Sequence, residues 1–142
     1  MKRRDIYNDG ALYLRRYYLI HRPGLSVFIH VFYQPDQARE LHNHPWKWCL
    51  SMPLLGGYVE RLRFDGSKRR RAFVPRLFRG QGYHSVESLT RVPTVTLFVH
   101  GRQVRTWGFL RGFEHVPWFR YLVEEGFNTQ AEIDQIREET GE

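Results

Sequence analysis

Short alternating runs of residues, separated by close turns, are the feature that most constrains this chain. Residues 25–33 and 94–100 alternate between two sets of side chains, and β-branched residues occur in both runs. This is the two-residue period of a β-strand. Asp65-Gly66, which lies between two further runs, is a strong hairpin signal. Many short strands joined by close turns predict a small antiparallel barrel or sandwich.

The last thirty residues have a different pattern. Residues 117–125 predict a short helix that begins with proline and ends before a glycine. Thr129 and Glu132 form a capping box, which predicts a second helix to about residue 140. We therefore expect three parts: an N-terminal tail (residues 1–10), one barrel (residues 11–112) and a C-terminal helical extension (residues 113–142).

Charge and cysteine content narrow the classes of partner and compartment. The 142 residues carry a net charge of +7, so an acidic partner such as nucleic acid has to be considered. The basic runs at residues 2–4 and 68–71 are more simply explained as solvated tips. Cys49 is the single cysteine, which excludes an intrachain disulfide and favours a reducing compartment. With no apolar run long enough for a signal peptide or a bilayer span, we expect a cytoplasmic protein that makes no membrane contact.

The segment around His42-Asn43-His44 is the best candidate for a functional site. On a strand, His42 and His44 would point to the same side and could offer two imidazole nitrogens to one metal ion. His84 follows a glycine-containing turn about forty residues later and is the best candidate for a third ligand. A small barrel can bring such residues together in its mouth. The alternative is that these histidines are structural.

Glu60 lies in a run whose alternation carries it toward the interior. Tyr58, Glu60, Leu62 and Phe64 share one face of the predicted strand. A carboxylate among apolar side chains needs a partner or a raised pKa. Glu60 could thus act as a catalytic acid or base or orient a histidine, and the alternative is a structural ion pair with an arginine.

The histidine spacing, followed by Gly56-Gly57 and by His84, resembles the cupin superfamily over residues 11–110. The resemblance implies an all-β double-stranded β-helix, a jelly-roll-like barrel, here with short C-terminal helices. Two positions depart from the family pattern: Trp48 or Cys49 replaces the glutamate ligand of many cupins, and Ser88 replaces an asparagine. The resemblance therefore implies a three-histidine site. The string His-Asn-His-Pro-Trp is also similar to small single-domain cupins of bacteria and phages, as are Gly-Gly-Tyr-Val-Glu and Trp107-Gly108-Phe109.

One branch, the thiol dioxygenases of the cysteine dioxygenase type, shows a further partial resemblance. Its motifs match Cys49, five residues after His44, and the His84-x-Val86-Glu87 segment. Upstream, Tyr13-Leu14-Arg15 resembles the segment whose arginine holds the substrate carboxylate. The resemblance implies a catalytic role for Cys49 and substrate binding by Arg15 and Tyr13.

The late strand departs from that branch. Where eukaryotic-type members alternate Ser, His and Tyr, this chain has Thr96, Phe98 and His100. The tyrosine that crosslinks to the cysteine is therefore missing from this strand. His100 could instead carry protons or donate a hydrogen bond behind the metal ligands. The alternative is that His100 caps the strand in solvent.

These features predict a site that holds a divalent metal. Iron(II) is the favoured ion, and zinc, nickel or manganese could bind the same nitrogens. The favoured function is an iron(II)-dependent oxygenase, similar to a thiol dioxygenase, that acts on a small molecule. The alternatives are a cupin with other metal chemistry or with ligand binding only, and a basic β-barrel that binds nucleic acid or a protein partner. We expect a small-molecule substrate and consider a homodimer; nucleic acid is the less favoured partner.

Overall fold

The computed structural model describes residues 1–8 and 10–141, which form twelve strands and two helices. In chain order the strands are β1 (Arg3–Asn8), β2 (Ala11–Arg22), β3 (Leu25–Phe32), β4 (Leu41–His42), β5 (Trp48–Leu55), β6 (Tyr58–Leu62), β7 (Gly66–Arg70), β8 (Arg76–Arg79), β9 (His84–Leu89), β10 (Thr94–His100), β11 (Gly108–Arg111) and β12 (Glu114–Pro117). The helices are α1 (Trp118–Glu124) and α2 (Gln130–Thr140).

Two six-stranded antiparallel sheets form the body of the fold. Sheet A has the order β1-β2-β3-β10-β5-β8, and sheet B has the order β12-β11-β4-β9-β6-β7. Contacts between the sheets show that their inner faces meet, since Ser51 of β5 lies 3.2 Å from Tyr58 of β6, hydroxyl to hydroxyl. The prediction of an all-β jelly-roll-like barrel with short C-terminal helices is confirmed.

The alternation in β10 places its side chains as the sequence predicts. Thr94, Thr96, Phe98 and His100 are buried, and the three residues between them are only half-buried. Because β3 pairs with β10 in direct register, buried Phe28 and His30 join the same inner face. The interior of sheet A therefore contains imidazole and hydroxyl groups as well as aromatic rings.

The structure differs from the sequence-based expectation at the N-terminus and around the basic run. Residues 3–8 of the expected tail form β1, which pairs with β2, while Asp9 lies outside the described residues. The Asp65-Gly66 hairpin is present, but its returning strand is β7, so the second basic run is mostly strand. Phe64 was expected to point inward and is 85% exposed, because β6 ends before it.

The C-terminal helices form where the sequence predicts them. Thr129 accepts a hydrogen bond from the Glu132 amide at the start of α2, and Gly141 ends it in the left-handed conformation. Both helices belong to a core cluster with β11 and β12, in which the Tyr121 and Phe109 rings stack at 3.9 Å. Strand β12 lies beyond the expected barrel boundary at residue 112, so sheet B extends into the predicted extension. No described helix is both long and apolar enough to cross a membrane.

A tight contact joins the histidine segment to this C-terminal part. The Asn43 amide donates to the Gly108 carbonyl (3.0 Å), and the Gly108 amide donates to Asn43 Oδ1 (2.9 Å). A Cβ atom at Gly108 would lie 2.2 Å from the Val116 carbonyl oxygen. Glycine is therefore required here by close backbone approach.

We predict that Gly108→Ala destabilises the protein by about 1–3 kcal/mol, because the added methyl group forces β11 and β12 apart. Urea unfolding followed by circular dichroism measures this change. Gly82→Ala is the matched control, since its Cβ would meet only the Arg79 carbonyl at 3.4 Å. Equal stability of the two variants would contradict the close-packing argument.

Candidate metal centre

Three histidines converge between strands β4 and β9 of sheet B. His42 and His84 are directly opposite each other in the pairing of these strands. His44 follows β4, and its amide donates to the Gly80 carbonyl at 2.8 Å, which fixes the segment next to the start of β9. One nitrogen from each ring lies within 4.8 Å of the others. The structure thus brings together the three predicted metal ligands.

Burial keeps two of these rings in the neutral form that metals bind. It lowers the pKa of His42 to about 4, an effect that the charge of Asp36 partly offsets. Burial, together with the neighbouring His84, also holds the pKa of His44 well below its ordinary value. Both imidazoles therefore offer lone pairs near neutral pH.

Glu60 orients the third ring. Its Oε2 lies 2.5 Å from His84 Nδ1, and since a carboxylate only accepts, Nδ1 carries the proton. This tautomer leaves the Nε2 lone pair of His84 free, and that atom lies 2.7 Å from His44 Nε2. Nitrogens bound to one ion at about 2.0–2.1 Å would be roughly 3 Å apart. The donor set therefore fits a divalent metal with small adjustments.

The Glu60 carboxylate is fully buried and charged. Arg70 donates to Oε1 from Nε (2.9 Å) and Nη2 (2.7 Å), and Arg76 Nη1 lies 2.8 Å from Oε2. Burial alone would raise the pKa of Glu60, but the hydrogen bond with His84 and the two arginines hold it below its ordinary value. Glu60 thus combines two of its expected roles: it orients a histidine and it forms a structural ion pair.

His42 is supported from a different side. Its Nδ1 lies 3.9 Å from Asp36 Oδ2, and the Asp36 carboxylate accepts hydrogen bonds from the Val86 amide and the Tyr13 hydroxyl. The ring also contacts Phe109, with the centroids 5.9 Å apart. Tyr13, predicted to bind substrate, therefore lies close to the metal ligands and acts on them through Asp36.

The other predicted substrate-binding residue lies elsewhere. Arg15 is bound in a fork by Asp5, at 2.9 Å from Nε and 3.1 Å from Nη2. It lies opposite Val31 in the sheet, whereas Arg16 lies opposite His30 and donates to its Nε2 at 3.0 Å. Because neighbouring residues of a strand point to opposite faces, Arg16 rather than Arg15 faces the buried histidines.

Cys49 and His100 are buried residues of sheet A that do not belong to the histidine cluster. Cys49 is fully buried in a cluster with Phe28 and Phe98, and burial raises the pKa of its thiol to about 12. His100 donates from Nδ1 to the Gly101 carbonyl, and burial lowers its pKa to about 4. Trp46 stacks on His100 at 3.8 Å and on His44 at 5.7 Å. An indole ring therefore lies between His100 and the nearest metal ligand.

Sequence reasoning did not identify Asp36, Arg70 and Arg76 as parts of the site. Asp36 stands in an unpatterned loop, and its bond to Val86 depends on how that loop folds over β9. Arg70 belongs to a run that reads as a solvated tip. The alternating run around Glu60 signalled a buried carboxylate that needs a partner, but nothing in the sequence identified which arginines would supply it.

Glu60→Gln is expected to destabilise the protein by about 3–5 kcal/mol, because it leaves Arg70 and Arg76 without their buried counter-charge. It should also weaken metal binding by about 10–100-fold, since His84 loses its orienting carboxylate. Chemical denaturation and metal titration measure the two effects. Glu87→Gln, an exposed change on the same strand as His84, is the control and should alter both little. A stable Glu60→Gln protein with unchanged metal affinity would exclude this role.

Solved structures with the same fold include a crystal structure described as a putative mannose-6-phosphate isomerase from Ralstonia eutropha JMP134 (TM-score 0.59, 20% identity, 66% of this chain and 88% of that one). The iron(II) form of HppE superposes with a TM-score of 0.57 at 12% identity, over 70% of this chain, which spans only 55% of HppE. A cupin superfamily protein from Desulfitobacterium hafniense DCB-2 gives 0.52 at 10% identity, over 63% of this chain and 78% of that protein. No protein-family model and no curated protein matches the sequence.

These likenesses concern the fold of the barrel. At such low identities they concern the fold and leave the chemistry open. The two antiparallel sheets, the short C-terminal helices and the structural neighbours together show that this chain has the cupin fold.

Proposed function

We propose that this protein is a metal-dependent enzyme, an iron(II)-dependent oxygenase that acts on a small molecule. The observation that carries the proposal is the convergence of His42, His44 and His84. The described carboxylate nearest to them, that of Glu60, contacts Nδ1 of His84 and leaves the Nε2 side of the ring to a metal. Three neutral nitrogen ligands leave coordination positions for other groups on an octahedral ion. The iron(II) enzyme HppE among the structural neighbours supports this choice of metal.

Iron(II) in this site would supply one-electron and oxygen chemistry, and the protein supplies orientation and access. His42, His44 and His84 would hold the ion, with Glu60 fixing the tautomer of His84. A cleft of about 480 Å³ has His84 among its lining residues, so a small molecule bound there would lie beside one of the three histidines. Trp46 and Phe78 pack on His44 and limit its movement.

The proposal does not extend to a thiol substrate. In the thiol dioxygenase resemblance, Arg15 anchors the substrate carboxylate, but its guanidinium is already engaged by Asp5. Cys49 is buried among aromatic rings with a raised thiol pKa. The match of these positions to that branch is therefore better explained by a shared scaffold.

A second candidate is metal-dependent chemistry without oxygen, such as isomerisation, or ligand binding without turnover. The neighbour described as a putative mannose-6-phosphate isomerase favours this candidate. The same three histidines could also hold zinc, nickel or manganese, because affinity alone does not select the metal. The metal present after purification and its response to an oxygen analogue separate the two candidates.

Three further expectations stay predictions. They are a small-molecule substrate, self-association as a homodimer and a cytoplasmic location. Nucleic acid stays the less favoured partner, because the three-histidine site calls for a ligand that reaches His84 through a cleft.

Protein purified without chelator or added metal should contain near-stoichiometric iron by elemental analysis, and His42→Ala and His84→Ala should each lose most of it. His21→Ala is the matched control, since His21 is exposed at the end of β2 and belongs to no metal cluster among the described residues. Thermal unfolding checks that each variant is folded. Full metal occupancy without His84 would contradict the assignment.

The oxygenase proposal predicts that nitric oxide, an oxygen analogue, binds the iron(II) protein and produces a new electron paramagnetic resonance signal. The open coordination positions left by three nitrogen ligands are the reason. The zinc-loaded protein is the control and should give no such signal. An iron-loaded protein that does not respond would favour the second candidate.

A further inference from the structure

Two adjoining clefts on one side of the barrel carry an unusual charge. One, of about 480 Å³, includes His84 and Tyr83; the other, of about 460 Å³, includes Trp48. Arg79 and Gln81 line both clefts. Asp65 is the one carboxylate among the lining residues, against six cations: Lys47, Arg63, Arg76, Arg79, Arg102 and Arg105.

Two of the six cations already have partners. Arg76 pairs with Glu60, and Arg105 donates from Nη1 to the carbonyls of His44 (3.0 Å) and Trp46 (2.7 Å). No described carboxylate lies within 4.0 Å of the other four, which include Arg63 and Arg79. The clefts therefore hold four cationic side chains whose charge the described chain does not balance.

Elsewhere in this chain, arginines form ion pairs with carboxylates. At the C-terminal end, Arg111 binds both Glu124 and Glu125, and Arg120 binds Glu114. In the clefts, by contrast, the four cations without a carboxylate partner line two cavities that share Arg79 and Gln81. An anion that enters the clefts would supply the missing counter-charge.

We propose that the paired clefts bind a small oxyanion, a molecule bearing a phosphoryl or carboxylate group, and present it to the metal centre. This proposal rests on the proposed function and names the substrate class of the same site. The planar guanidinium fork matches the oxygens of both groups. The cleft volumes suit a small ligand rather than a polymer.

The positions of Arg79 and Arg63 indicate where the anionic group would be held. Arg79 stands where the two clefts meet, and Arg63 lies over the Tyr83 ring at 5.6 Å in the cleft that reaches His84. Both arginines line the cleft that includes His84, so an anionic group held by them would lie in the same cavity as a candidate metal ligand. These arginines are thus substrate-binding residues that are distinct from the metal ligands.

The test measures binding of inorganic phosphate, glucose 6-phosphate, glucuronate and glucose to the full-length protein by isothermal titration calorimetry. We expect saturable binding of at least one anion, no binding of glucose, and weakening with added salt. Arg79→Gln and Arg63→Gln should each weaken anion binding by about tenfold, the effect of losing a charged hydrogen bond. Arg22→Gln removes the same charge from an exposed site in another part of the barrel and should leave the affinity unchanged. Comparison of glucose 6-phosphate with glucuronate shows which oxyanion is preferred.

If Arg22→Gln weakened anion binding as much as the cleft variants do, net charge alone would explain the effect, and the proposal would be wrong. So would the absence of saturable binding for all three anions, or tight binding of a 15-nucleotide single strand with none of the small anions. Metal content, measured separately, keeps the two proposals apart. If the protein is metal-free and its anion binding depends on Arg79, the proposed metal centre is wrong and the proposed anion site stands. If the protein contains metal and binds no anion, the proposed anion site is wrong and the proposed metal centre stands.

Discussion

The site depends on the contacts that the buried Glu60 carboxylate makes with one histidine and two arginines. It lies in β6 and contacts His84 of β9 and Arg70 of β7, all in sheet B, and Arg76 of β8 in sheet A. One carboxylate thus joins both sheets and fixes the tautomer of a metal ligand. Removing a charge from such a group leaves the others buried without compensation, which is far more costly than breaking an exposed ion pair. The site is therefore organised by the same contact that holds the sheets together near it.

Local patterns in the sequence were enough to predict β9, β10 and the capped helix α2, and they indicated the three histidines of the cluster. The Thr129 capping box is satisfied within four residues. His42 and His44 meet in one cluster although β4 ends at His42, so strand alternation does not place His44. The strand alternation and the capping box depend on neighbours in the chain, so the sequence alone predicts them. The histidine cluster also needs the pairing of β4 with β9, which local patterns do not specify.

The features that escaped sequence reasoning depend on distant contacts. Arg76 reaches Glu60 because the chain leaves sheet B after β7 and enters sheet A as β8, which brings an arginine of each sheet to the same carboxylate. Arg15 and Arg16 differ in the partners they meet through the register of β2 with β3, and a one-residue change of register would exchange their faces. Sequence spacing cannot fix that register. The resemblance to thiol dioxygenases pointed to Arg15 through the Tyr13-Leu14-Arg15 motif, whereas the structure turns Arg16 toward the buried His30.

Because Asn43 contacts Gly108, the candidate metal centre depends on a residue that is synthesised much later than the histidine segment. Asn43 stands between two metal ligands, and its partner is synthesised 65 residues later. His42 likewise packs on Phe109, which in turn stacks on Tyr121 of α1. A ribosome-bound chain that ends before these residues has all three histidines but lacks the strand that pairs with His42 and holds Asn43. The candidate metal centre would then be complete only after the barrel is complete, and a truncated product would lack its full arrangement.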